Sequence, residues 1–150
     1  MKGDHLYLVN YETGRWPAGN PETGYLNTDG SPTKTEILRM RTDPENGRFW
    51  NLSFGKRPSE EFYNLTTDPD CLHNLAGDPA QRDVMDALRV QMEAELTAQG
   101  DPRMKGEGRI FDQYEVANDK NREFYRRYLS GEIGVPNWVN ASDFEDGPLD

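Results

Sequence analysis

The spacing of apolar side chains divides the chain into a few short elements separated by long polar stretches. HLYLVNY, from His5 to Tyr11, reads as a strand. Leu6, Leu8 and Asn10 share one face and Tyr7, Val9 and Tyr11 the other, so both faces are largely apolar. A strand of that kind belongs inside a sheet or under cover on both sides. GRWPAGNPETGYLNTDGSP then packs four Gly and three Pro into nineteen residues, too many breakers for regular structure. Arg15 and Trp16 are the large side chains of that loop. Ser31-Pro32 supplies an N-cap with Pro at the first helical position, Thr33-x-x-Glu36 offers an alternative capping box, and Ile37, Leu38 and Met40 form the apolar face of a short helix. Asp43-Pro44 repeats the cap-then-Pro signal, and Phe49, Trp50, Leu52 and Phe54 follow at near-helical spacing. Gly55 is placed to end that helix in the left-handed conformation.

Glu61 to Leu65 alternates as a second strand, with Phe62 and Tyr63 as its bulky pair. Asp68-Pro69 turns the chain, because Asp bonds its own downstream backbone and Pro fixes φ. Asp78-Pro79 caps the most regular element, a helix from Pro79 to Gln99. Its stripe is Val84, Leu88, Met92 and Leu96, flanked by Met85, and Gly100 stops it. Full burial of that stripe is worth on the order of 6–12 kcal/mol before entropy is subtracted, so this helix needs a sheet to lie on. Beyond Gly100 the pattern weakens to a polar loop hooked by Ile110-Phe111. A short helix follows over Asn121–Leu129, with Phe124, Tyr125, Tyr128 and Leu129 facing a partner. The acidic tail from Gly131 to Asp150 is anchored at most by Trp138 and Phe144. No internal repeat is visible.

Composition sharpens this picture. Only 34% of residues are hydrophobic and the net charge is −10, which leans towards disorder, whereas 11% aromatic residues argue for an ordered core. An ordered core with long, irregular, polar extensions reconciles the two. The acidic balance repels phosphates, so neither nucleic acid nor an anionic membrane surface is an expected partner. No apolar run approaches the roughly 20 residues of a membrane span, and Met1-Lys2-Gly3-Asp4 does not open a signal peptide. That leaves a cytoplasmic protein or one whose true N-terminus lies elsewhere. One Cys excludes an internal disulfide framework and a cysteine-based zinc site.

Candidate chemistry is sparse. His5 opens a strand and His73 sits in a turn, and neither has a legible catalytic partner. Cys71-Leu72-His73 matches no nucleophile or metal signature. Asp68-Pro69-Asp70 lacks the twelve-residue loop of a calcium site. Lys120, Arg122, Arg126 and Arg127 read as a solvated helix face. The triplets at Asn51, Asn64 and Asn140 fit the glycosylation pattern but are common by chance. No catalytic residue and no metal ligand is expected in this chain.

One stretch, EEFYNLTTDPDCLHNLAGDP, carries more information. With its aromatic strand, two Asp-Pro pairs and the helix that follows, it resembles the C-terminal signature of the type I, formylglycine-dependent sulfatases. The residues that match are Glu60, Glu61, Phe62, Tyr63, Asn64, Leu65, Asp68, Pro69, Asn74, Leu75, Ala76, Asp78 and Pro79. Many members have Glu where this chain has Cys71. RWPAGNPETGY, DGSPTKTEIL, FWNLSFGKRP and WVNASDFE are similar to a bacterial subgroup related to N-sulfoglucosamine sulfohydrolases.

The resemblance implies an α+β fold, a small antiparallel sheet with one main amphipathic helix packed on a face, followed by long irregular loops and tail. It implies a subdomain over residues 1–100 and, over residues 101–150, an extended acidic tail wrapping it or a partner domain. It also implies an absent partner, the sulfatase catalytic domain. There, formylglycine made from C/S-x-P-x-R and a calcium ion carry the chemistry, and no such motif stands in this sequence. The strand at His5–Tyr11 would pair with a preceding strand; left unpaired, its edge invites self-association. A sulfatase of this family acts on a sulfated sugar, as ester or N-sulfate, in the periplasm or outside the cell. Residues of this region that could wall its cleft are Arg15 and Trp16, then Asn20, Lys34 and Arg57, because Arg forks onto a sulfate and Trp stacks on a sugar face. The alternative is an independent protein- or glycan-binding module without hydrolase activity.

Overall fold

The computed structural model describes residues 1–115, 117–119 and 122–149. It is α+β and separates into two compact units, Met1–Asn10 with Ser59–Ala117, and Tyr11–Pro58 with Asn118–Asp150. The polar stretch after Gly100 is therefore shared between the two.

The first unit is built on an antiparallel pair, β1 (His5–Val9) and β2 (Glu60–Asn64), in the register His5 opposite Asn64 and Val9 opposite Glu60. β1 is two residues shorter than its sequence pattern suggests. Backbone bonds from Asn10 N to Ser59 O and from Leu65 N to Asp4 O extend the ladder by one step at each end. The rest of the motif closes β2's outer edge. Asn74 Oδ1 accepts from Phe62 N at 2.9 Å, its Nδ2 donates to Glu60 O at 3.0 Å, and Leu75 N donates to Phe62 O at 2.8 Å. One amide side chain thus occupies the place of a third strand and satisfies the groups an edge leaves bare.

The Asp78 carboxylate accepts from Ala80 N at 2.9 Å, and Pro79–Gln81 forms a 3₁₀ turn before the main helix. We number the helices of the whole chain in order, so this one is α3 (Arg82–Ala98). It lies on the His5–Tyr7 face of the sheet, where Arg89 reaches the Tyr7 hydroxyl at 3.0 Å and the Glu60 carboxylate, which also takes a very short bond from Tyr7. Phe62 is fully buried there, with Met85 nearly so. The stripe itself is covered less than its composition asks. Val84 is 43% exposed, and Leu88, Met92 and Leu96 are only half-buried along a groove closed by Tyr7 and Lys2. Two strands are too narrow a platform for a helix of this length. Gly100, at φ +75°, ends α3 as its sequence position implies.

The second unit holds α1 (Pro32–Arg39), α2 (Gly47–Phe54) and α4 (Phe124–Leu129). Ser31 caps α1, its Oγ accepting from Lys34 N at 3.1 Å, so the Ser-Pro signal wins over the Thr33 capping box. Asp43-Pro44 does not start α2 directly. The Asp43 carboxylate instead folds a turn by accepting from Glu45 N and Asn46 N, and the helix begins at Gly47. Gly55 ends α2 at φ −61° in extended backbone, not in the left-handed region. Glycine is required there by proximity, since a Cβ would stand 2.7 Å from Asn51 O. Ala18, Tyr25, Leu38, Trp50 and Phe54 form the core, with Trp16, Ile37 and Leu149 packed against it. The expected helix over 121–129 is seen from Phe124 onward, while Lys120 and Asn121 lie outside the described residues.

Candidate functional site

The tail is fixed more firmly than two aromatic anchors would achieve. Trp138 Nε1 donates to Leu26 O at 3.2 Å, and Phe144 lies against Gly24 so closely that a Cβ there would sit 2.8 Å from the ring. Val139 and Asp143 are buried, and Arg41 forks onto Glu145 through Nε and Nη2 at 3.3 and 3.0 Å. Asp143 Oδ1 accepts from Thr35 Oγ1 at 2.7 Å, and its Oδ2 lies 3.7 Å from Lys34 Nζ, both side chains being out of solvent.

Those bonds place Lys34 in the interior of its unit. Its ammonium donates to the carbonyls of Gly24 (2.7 Å), Tyr25 (3.3 Å) and Thr28 (2.7 Å) and faces Asp143. Burial pushes its pKa down and the Asp143 charge pulls it back up. Lys34 folds the Pro- and Gly-rich loop over itself. Asn20 also builds that loop, its carbonyl accepting from Thr23 N, Tyr25 N and Thr23 Oγ1.

Trp16 and Lys56 come together on the surface. The half-buried Trp16 ring meets the buried Trp50 edge-on, with centroids 6.2 Å apart. Lys56 Nζ stands 4.7 Å from the Trp16 centroid, a cation held over an aromatic face. Arg57 follows in the chain and ties one Nη to Leu52 O at 2.9 Å, at the end of α2. Arg15 precedes Trp16, is exposed, and lies 3.9 Å from Glu12. The structure therefore brings Trp16 to Lys56, with Arg15 and Arg57 as their chain neighbours, and leaves Asn20 and Lys34 in loop-building roles. Sequence reading passed over Lys56 because its partner lies forty residues away.

The remaining titratable groups serve local structure. Asp68 accepts from Leu72 N at 3.0 Å and His73 N at 2.8 Å, which holds its carboxyl below the usual range. Pro69 follows at the turn, and Tyr63 bonds Glu61 at 2.6 Å. His5 stacks on Phe62 with centroids 5.3 Å apart. Burial, then the nearby acidic charges, push the Cys71 thiol up, away from a reactive thiolate. Among the described residues no group of three or more His, Cys, Asp or Glu could hold a metal ion. No helix is long and apolar enough to cross a membrane among the described residues. In comparison with known proteins, the chain matches no family model, no curated protein and no solved structure.

Proposed function

We propose that this chain serves as the C-terminal subdomain of a sulfatase acting on sulfated glycans, carrying no catalytic residue of its own. The observation that supports the reading best is the uncovered face of α3 beside the open edge of β1. Lys2 and His5 exchange two backbone bonds, of 3.0 and 3.1 Å, across the Gly3-Asp4 turn, with Gly3 at φ +54°. A chain arriving through that turn runs antiparallel along Tyr7 and Val9 and lays its side chains over Leu88, Met92 and Leu96. The catalytic domain, with its formylglycine and calcium, is the source of that strand, and the Arg15–Trp16 loop is the part of this region offered to a sulfated sugar. The catalytic domain also sets the destination, periplasmic or secreted.

A second reading, an independent glycan- or protein-binding module, is favoured by the closed core of the second unit, where Tyr25 is fully buried and Phe54 is 4% exposed. The two readings part on activity. Protein captured from source cells with an antibody against residues 100–150 is expected to release sulfate from a sulfated glycan, whereas the pure recombinant 150-residue chain does not. Captured protein without sulfatase activity would favour the module.

A further inference from the structure

We infer that Lys56 is the group through which this region recognises a sulfate, and that Trp16 positions its ammonium for that purpose instead of stacking on the sugar. The inference rests on the reading that the Arg15–Trp16 loop faces a sulfated glycan. Trp50, 8% exposed, fixes Trp16 by an edge contact, and Trp16 in turn carries Lys56 Nζ over its ring at 4.7 Å. A rigid aromatic anchor thus holds an otherwise mobile lysine head in place, which lowers the ordering entropy a ligand would have to overcome. One face of the Trp16 ring is taken by that cation. The ammonium keeps N–H donors directed away from the ring, the arrangement suited to the oxygen tripod of a sulfate.

The electrostatic setting points the same way. In a chain of net charge −10, most described cations are drawn into ion pairs, such as Arg41 with Glu145 and Arg89 with Glu60. Among the described residues Lys56 forms no ion pair, and its neighbour Arg57 is tied to a helix-end carbonyl instead of a carboxylate. The Lys56-Arg57 pair is therefore a local positive spot that the protein's own acids leave uncompensated. A ligand bearing several sulfates is the complementary partner.

The test is calorimetric titration of the 150-residue chain with a trisulfated glucosamine–uronate disaccharide and with its unsulfated, N-acetylated counterpart. The wild type is expected to prefer the sulfated sugar. Lys56→Gln should weaken the sulfated sugar about tenfold or more, the factor set by one charge-assisted hydrogen bond, and leave the unsulfated one unchanged. Lys56→Arg and Trp16→Phe, which keep a cation over an aromatic ring, should retain the preference, and Trp16→Leu should lose it. A sulfate preference that survives Lys56→Gln would overturn the inference and leave the sugar-cleft reading standing. No binding of either sugar to the wild type would overturn both.

Discussion

Replacing Asn74 with alanine removes three hydrogen bonds, two of which stand in for a missing strand. Asn74 Oδ1 accepts from Phe62 N and from Ala76 N at 3.0 Å, and Nδ2 donates to Glu60 O. Phe62 is fully buried, so its N–H loses its partner where water reaches poorly, at a cost of about 1–3 kcal/mol. The other two groups lie closer to solvent and lose about 0.5 kcal/mol each once water replaces the amide. The whole change is about 2–4 kcal/mol, a large part of the stability of a unit this small. Hydrogen exchange followed residue by residue is the right assay, because it isolates the edge from the second unit. Protection of the Phe62 and Leu75 amides should fall about thirtyfold or more, since about 2 kcal/mol corresponds to that factor. Asn74→Asp keeps the acceptor for Phe62 N and should lose less. A change below about 0.5 kcal/mol for Asn74→Ala would refute the claim that this side chain closes the sheet edge.

Lys34→Met leaves Asp143 buried without a counter-charge and frees three carbonyls, for an expected loss of about 3–5 kcal/mol in urea unfolding. Asp143→Asn should cost less, because Lys34 retains its carbonyl partners. Asp68 has a folded pKa below its unfolded value, so its contribution is fully present above the ordinary carboxylate range and is lost as pH falls through the folded value. Asp68→Asn is therefore expected to flatten the decline of the urea midpoint between pH 4 and pH 2, and a decline as steep as the wild type's would sink that assignment.

Much of the first unit was legible because its signals are local. The alternation of β1 and β2, the Asp78-Pro79 cap and the Gly100 stop each depend on residues within one turn of one another. What escaped depends on distance. Lys34 reads as a residue of the cleft wall, and only the fold shows its ammonium surrounded by Gly24, Tyr25, Thr28 and Asp143, the last 109 positions away. Trp16 reads as the large side chain of a loop, and nothing near it in the chain reveals the Lys56 ammonium that the fold sets over its ring. Asn74 was visible as part of a motif, but no spacing rule reveals that its amide substitutes for a strand. The α3 stripe was visible in period and misleading in extent, because a periodic face states what wants burial and not how much sheet is there to bury it. Gly55 was placed at the right position for the wrong reason: the approach of Asn51 O, not a left-handed φ, requires it.

The central claim, that this sequence is the non-catalytic end of a sulfatase, bears most directly on the size of the polypeptide that carries it. A blot of source-cell extract with the antibody against residues 100–150 is expected to show a band several times heavier than 17.2 kDa, large enough for a catalytic domain. A single band at 17.2 kDa would contradict the account and leave the binding module in its place.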